Sequence, residues 1–508
     1  MTAKPDPTPF PLDHLAERGA DADVALILKQ EKLSFADLRD RVRRLAAWLA
    51  HQAPEKGARI ATWATKGELT CLMPLAAARA GLVHVPINPL LKHAQAAHIL
   101  SDSGATILIG TQARLKSLEA GDVPQHCRLI EENDALDSAA ELSEHMPPSN
   151  ADPDDLTAIL YTSGSTGRPK GVMLSHANLW LGAASVAHYL GMASDDVTLA
   201  VLPLSFDYGQ NQLLSTWYAG GAVAPLDYLF PKDVMKACAK HQVTTLAAVP
   251  PLWVQLTELD WSEQAVAPML RLTNSGGALT TDIVRDLRGI FPEARLFPMY
   301  GLTEAFRSTF LDPDLVDSHP TSMGTAIPFA EILVINDAGE LAAPREEGEL
   351  VHCGPLVAQG YWQDVERTAE RFKPSPKMSN YGGIAVWSGD RVKRDAQGLL
   401  YFIGRWDAMI KSQGNRISPQ EVEEAAFATG LVAEAVALGI ADERLGQAVH
   451  LVVRAEPGAV DADKQLPKLL AKELPNFMQP QVIHWRTAMP LNPNGKIDRS
   501  ALQRELSV

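Results

Sequence analysis

Tyr161-Thr-Ser-Gly-Ser-Thr-Gly-Arg-Pro-Lys-Gly171 is the stretch from which the rest of this chain is best read. It follows Leu156 to Tyr161, an apolar run with the composition of a buried strand, which in turn follows the proline- and aspartate-rich connection Pro147 to Asp155. Thr162, Ser163, Gly164, Ser165, Thr166 and Gly167 are all glycine or hydroxyl residues. Such a run lets backbone amides and hydroxyls close around a polyphosphate, and Arg168 and Lys170 add positive charge. It is not the common GxxxxGK[ST] loop, because Pro169 stands where that pattern needs glycine and Gly171 where it needs serine or threonine. By composition alone, the run serves equally well as a surface turn.

Working outward, the segment from Leu33 to Gly110 alternates two periods. Ser34 is placed to cap a helix whose apolar positions Phe35, Leu38, Val42, Leu45 and Leu49 share one face. Arg59 to Trp63 then reads as a strand, Glu68 to Ala80 as a helix, Leu82 to Ile87 as a strand, His93 to Ser101 as a helix and Ala105 to Ile109 as a strand. Alternation of this kind predicts parallel βαβ units, and it returns from Val197 to Pro250. Gly348 to Phe402 has short strands separated by Gly and Pro, the texture of a small β-rich subdomain. The expected fold is α/β: a large N-terminal part, residues 1–404, of two doubly wound sheets with a β-rich subdomain from about 330 to 404, followed by a small α+β domain, residues 405–508.

The chain has 508 residues, which suits about three compact units. Its 46 Lys and Arg against 61 Asp and Glu leave a net charge of −15, which disfavours nucleic acid as the main partner. Cys71, Cys127, Cys238 and Cys353 lie far apart without CxxC spacing, so neither a disulfide framework nor a zinc site is expected. The N-terminal residues are rich in proline rather than apolar, and the uncharged run Tyr208 to Leu226 is broken by Gln210, Asn211 and Gln212. Neither an export signal nor a membrane span is expected, which points to the cytoplasm.

Five further motifs follow the loop in order: Asn274-Ser-Gly-Gly-Ala278, Tyr300-Gly-Leu-Thr-Glu304, Trp387-Ser-Gly-Asp390, Gly404-Arg-Trp-Asp-Ala-Met-Ile-Lys-Ser-Gln-Gly-Asn-Arg-Ile417 and Asn494-Gly-Lys-Ile-Asp-Arg499. Together with the loop they resemble the signature of the adenylate-forming superfamily of acyl-CoA synthetases, amino-acid adenylation domains and firefly luciferase. The resemblance runs from about Ala25 to Leu502. It implies a two-step ligase: an acid and ATP give acyl-AMP and pyrophosphate, and a pantetheine thiol of CoA or a carrier protein then takes the acyl group.

Each motif suits that chemistry. A carboxylate is already ionised at neutral pH, so the obstacle is bringing an anion up to a polyanion, which calls for positive charge and oriented donors. Thr162, Ser163, Thr166 and Lys170 would hold the outer phosphates with the glycines of the loop. By resemblance Thr303 adds a phosphate contact and Glu304 is the Mg²⁺ ligand, a hard oxygen donor. Gly276, Gly277 and Ala278 would lie flat on the adenine opposite Tyr300, beside Gly301, with Asp390 and Arg405 at the ribose. The resemblance makes Lys496 the catalytic lysine of adenylation. It also implies that the small domain then swings about a hinge at Asp407, so that the loop of Lys411 and Gly414 replaces Lys496 and opens a channel for the thiol.

Phe206-Asp207 in Leu202-Pro-Leu-Ser-Phe-Asp-Tyr-Gly209 departs from the Pro-Leu-Phe-His of many acyl-CoA synthetases and matches amino-acid adenylation domains, whose Asp binds the substrate ammonium. Asp207 as a helix cap facing away from the pocket is the equal alternative. Trp253 and Met299 are further pocket candidates, and His176 reads as a packing group at a helix start. A subgroup of acyl-CoA ligase-like proteins linked to exosortase gene clusters also resembles this chain around Phe206 and from Trp387 to Ile417. No Asp-Ser-Leu carrier pattern follows Lys496, so any carrier is expected to be a separate protein. A different second step on the adenylate, amide formation or oxygenation, and a non-catalytic nucleotide sensor are the remaining alternatives.

Overall fold

A computed structural model describes residues 5–162, 169–405, 409–412, 415–442 and 444–507. Among these the strands form four sheets. The first runs Arg128–Glu131, Ile107–Gly110, Arg59–Trp63, Val83–Pro86, Leu156–Thr162, Lys170–Ser175; all neighbours are parallel except the last pair. The second has nine strands, with a parallel centre built from Val24–Ile27, Ala222–Pro225, Val197–Ala200, Thr245–Ala248, Arg271–Asn274 and Arg295–Tyr300. A five-stranded antiparallel sheet spans Glu331 to Arg405, and the last sheet pairs Val432–Asp442 with Gly446–Ala455 as its long central ladder.

The two large sheets share helices, and this explains why three of these helices are buried all round. Glu68–Arg79, His176–Leu190 and Asp207–Tyr218 are buried along nearly their whole length in a core that draws residues from both sheets. By contrast Phe35–Gln52 shows one buried face, and Ser34 caps it in a capping box with Asp37. A fully buried pair, Arg79 Nε to Asp13 Oδ2 at 2.9 Å, ties the N-terminal turn Leu12–Glu17 to this core. Ser149 adds a backbone N–H and a hydroxyl to the same carboxylate.

The expected alternation is present, and Arg59–Trp63 has the expected limits. One local detail differs. Thr162 and Lys170 are register partners on neighbouring antiparallel strands, so both flanks of the glycine- and hydroxyl-rich stretch sit at one end of a hairpin. All four cysteines are free and buried. No helix among the described residues is long and apolar enough to cross a membrane.

Candidate active site

A cavity of about 420 Å³ opens where the ends of the two large sheets meet the antiparallel sheet and the turn carrying Lys496. Thr162, Lys170, Phe206, Asp207, Gly301, Thr303, Glu304, Arg405 and Lys496 all line it. Motifs spread from the first large sheet to the C-terminal domain thus converge on one space.

Glu304 sits in the short turn Thr303–Ala305 just beyond the strand Arg295–Tyr300. Lys170 Nζ donates to its Oε1 at 3.0 Å, and the Tyr361 hydroxyl donates to the same oxygen at 2.6 Å. The ammonium also reaches the Tyr361 oxygen at 2.7 Å. Burial pushes the Glu304 pKa up, but Lys170 and the hydroxyl of Tyr361 outweigh it and hold the carboxyl below its ordinary value.

Asp207 is the first residue of its helix and is buried, but it makes no cap hydrogen bond. Its carboxylate lines the cavity and accepts from Thr303 Oγ1 at 3.1 Å. Burial raises its pKa, opposed by the nearby charges of Arg307 and Lys496. The capping alternative is thereby disfavoured.

The turn bearing Lys496 is closed by Asn492, whose side chain accepts from the Asn494 and Lys496 amides. Asn88, on the loop after Val83–Pro86, donates to Pro493 O at 2.8 Å and Asn494 Oδ1 at 3.1 Å and so docks that turn. The lysine stem lies over Gly276 (φ +85°), where a Cβ would come within 2.3 Å of its Cε, and Nζ is 4.7 Å from the centre of the Phe206 ring. The positive φ favours glycine there, and a side chain would displace the lysine stem. Burial lowers the lysine's pKa, Asp207 raises it, and Arg307 lowers it again.

At the far side, Tyr300 donates its hydroxyl to Asp390, and Arg405 pairs with the other carboxylate oxygen at 3.1 Å. Gly277 has Pro250 against it: a Cβ would meet Pro250 Cγ at 3.0 Å.

Some of the residues singled out from the sequence fall elsewhere. Trp253 is fully buried and Met299 accepts from the Tyr189 hydroxyl; both sit in the apolar core and neither lines this cavity nor the second one described below. They are adjacent to the pocket wall rather than in it, because their strand and helix turn them toward the sheet interior. Ser163, Gly164, Ser165, Thr166, Gly167, Asp407 and Gly414 lie outside the described residues, as does the side chain of Lys411. His176 is a packing group: it is buried at the start of its helix and bonds the Leu12 amide through Nδ1 at 3.0 Å.

Sequence reasoning missed Tyr361, Asn88 and Arg307. Arg307 had a visible signal, a single cation in the uncharged run Ala305-Phe-Arg-Ser-Thr-Phe310. Its position depends on Phe306, which adopts φ +60° and buries its ring against Gly182, where a Cβ would lie 2.3 Å from the ring. That turn sends Glu304 and Arg307 into the same cavity.

A second cavity, about 350 Å³, adjoins the first and shares Asn494 with it. It is walled by Pro493, Asn494 and Gly495, the residues immediately before Lys496, and by Val201 to Ser205.

An AMP-binding enzyme family model matches residues 12–362, and a model of the AMP-binding enzyme C-terminal domain matches 421–496. The chain belongs to this family of adenylate-forming ligases. An L-proline–[L-prolyl-carrier protein] ligase of Pseudomonas fluorescens is 30% identical over 95% of this chain and 96% of its own length. A feruloyl-CoA synthase of Amycolatopsis is also 30% identical, over 93% of this chain and 94% of its own. The chain spans only 6% of malpinin synthetase of Mortierella alpina, to which it is 28% identical. ATP-bound MatB of Rhodopseudomonas palustris superimposes with a TM-score of 0.88 at 25% identity, covering 98% of this chain and 99% of that one. Membership makes the chemistry ATP-dependent acyl-AMP formation, and the relatives named as CoA and carrier-protein ligases support transfer to a thiol of CoA or phosphopantetheine as the second step. Among the described residues no group of three His, Cys, Asp or Glu could enclose a metal. Mg²⁺ needs no such cage, since it takes one or two carboxylates plus substrate phosphates, and Glu304 on the cavity wall fits that mode.

Proposed function

We propose that this ligase activates an amino acid and hands it to a separate carrier protein. The observation that carries the first half is Asp207: a carboxylate buried in the reaction cavity, with its pKa raised by that burial, calls for a cation on the substrate. The relative that loads proline onto a carrier protein supports the same reading.

In this reading the acid lies with its ammonium at Asp207 and its carboxylate toward Lys496. Being ionised, it attacks the α-phosphate without a general base, and pyrophosphate leaves. Lys496 spans the two anions as they meet. Lys170, Thr162 and the 163–167 loop hold the outer phosphates with Thr303, while Gly276 to Ala278, Tyr300, Asp390 and Arg405 hold the nucleoside. Mg²⁺, held through Glu304, would neutralise charge on the leaving pyrophosphate.

For the second step residues 405–508 move as a unit about Asp407, with residues 1–404 as the fixed part, and Lys411 and Gly414 take the place of Lys496. Because the Lys496 turn walls the second cavity, its withdrawal joins that cavity to the first and gives a thiol a route to the acyl group. Leu90, Leu229 and Leu491 line this second cavity yet are 66%, 87% and 44% exposed, and Phe230 beside them is 67% exposed. An exposed apolar rim suits the surface of a carrier protein better than the phosphates of CoA. Lys66, also on the wall, is already bonded to Val201 O, Leu226 O and Asp227.

Hydroxamate trapping with the common amino acids against simple carboxylic acids tests the first half. Activation confined to acids without an amino group would refute it. Thioester formation with holo-carrier protein against CoA tests the second, and faster turnover with CoA would overturn it.

A further inference from the structure

Arg307 is a buried cation that lacks an anion once Asp207 is given to the substrate ammonium. It is 1% exposed and lines the central cavity. The guanidinium lies 4.6 Å from the centre of the Tyr208 ring, Nη1 donates to Ser275 Oγ at 3.3 Å, and Nε is buried without an acceptor among the described residues. Tyr208 offers only its ring face, since its hydroxyl is engaged with Thr273 Oγ1 at 2.7 Å.

A guanidinium presents five donors in a planar fork and matches a carboxylate. Of the described residues lining the cavity, Asp207 and Glu304 are the carboxylates. Glu304 is held by Lys170 and Tyr361, and Asp207 takes its hydrogen bond from Thr303 rather than from Arg307. An ammonium bound at Asp207 would therefore sit beside an uncompensated positive charge. The helix bearing Asp207 continues the polar character. Gln210 and Asn211, three and four residues on and so on the same helical face, are buried, with both amide atoms of Gln210 and the Asn211 oxygen lacking partners among the described residues. Neither amide lines the cavity, and it is Arg307 that an aliphatic side chain would leave unsatisfied.

We infer that the acid activated here carries a second carboxylate, received by Arg307, so that the substrate is an acidic amino acid. This inference rests on the ammonium reading of Asp207, and the two are separable by experiment. Initial rates of acid-dependent pyrophosphate exchange are measured with four five-carbon acids that differ only in those two groups: L-glutamate, L-norvaline, glutarate and pentanoate. The four-carbon set, L-aspartate, L-2-aminobutyrate, succinate and butyrate, allows for pocket length.

The expected result is that removing the second carboxylate lowers kcat/KM by at least about 10²-fold in one of the sets, because a site built around a buried polar group rejects an analogue that leaves it unpaired. In Arg307→Met that discrimination falls to less than about tenfold, chiefly through KM, and Arg307→Lys retains part of it. Norvaline or aminobutyrate used as well as its dicarboxylate counterpart overturns the inference, whatever the variants do. So does an equal loss on all acids in Arg307→Met, which would make Arg307 only a structural counter-ion. Glutarate equal to glutamate leaves Arg307 in place and removes the ammonium role of Asp207 instead.

Discussion

Lys496→Ala removes a cation that the fold carries into its interior. Burial disfavours the charged amine, Asp207 favours it and Arg307 opposes it, so one carboxylate is its main support before substrates arrive. In the proposed reading the acid carboxylate and the phosphate oxygens converge on the same amine during adenylation. Loss of one preorganised donor from such a site costs about 10²- to 10³-fold in rate, or about 3 to 4 kcal/mol of transition-state stabilisation. A second effect adds to it. Lys496 is one of the two cations that offset burial at Asp207, so the aspartate's pKa rises further in the variant and less of it is ionised to receive an ammonium. The first half-reaction is read by acid-dependent pyrophosphate exchange and the second by thioester formation from supplied acyl-adenylate. Exchange is expected to fall by about 10² to 10³ with a raised KM for the acid, while the thioester step stays within about threefold of the parent enzyme. Equal losses in both steps would refute the reasoning, because a lysine that merely props the cavity would impair each alike.

Three other outcomes are expected. Tyr361→Phe deletes the hydroxyl that joins Glu304 and Lys170; hydrogen bonds to charged groups contribute about 1.5 to 3 kcal/mol, so exchange should slow by about 10- to 100-fold with a higher KM for Mg–ATP, and an unchanged KM would take Tyr361 out of the site. Asp207→Asn should stabilise the protein more at pH 7 than at pH 4. The folded pKa of Asp207 is raised, so its favourable contribution is complete below the ordinary carboxylate pKa and is lost as pH rises through the folded value; a thermal shift independent of pH would contradict this. Arg79→Leu strands the buried Asp13 carboxylate and should cost about 3 to 5 kcal/mol in denaturant unfolding, whereas a loss below about 1 kcal/mol would mean that Ser149 alone satisfies it.

Much of the fold was legible because local patterns decide it. Ser34 and Asp37 form their capping box within four residues, and Arg59–Trp63 is a short, mostly apolar run between helical segments that needs no distant partner to be recognised. The sharing of helices by two sheets was not legible, since it depends on which apolar faces meet. Val24–Ile27 joins the second sheet through Ala222–Pro225, nearly two hundred positions away. The same limit governs the site. Motif residues could be named from order and spacing, but Tyr361 meets Lys170 across 191 positions, and nothing near Tyr361 announces that contact. Trp253 and Met299 looked like pocket residues because they adjoin pocket motifs; side-chain direction, which alternates along a strand and turns around a helix, sends them into the core.

On the roles proposed for Glu304 and Arg307, the turn at Phe306 couples what this protein recognises to how it handles nucleotide. Ala305 and Phe306 separate Glu304 from Arg307, and Phe306 is held at positive φ with its ring seated on Gly182. Such a conformation persists only where the surroundings over-determine it. Insertions or backbone changes between 304 and 308 therefore disturb the phosphate end and the acid pocket together. Divergence toward new acids has an open path through single side-chain exchanges at position 307 and a closed one through loop remodelling. A redesign of specificity in this scaffold should keep Phe306 and Gly182 fixed as a matched pair.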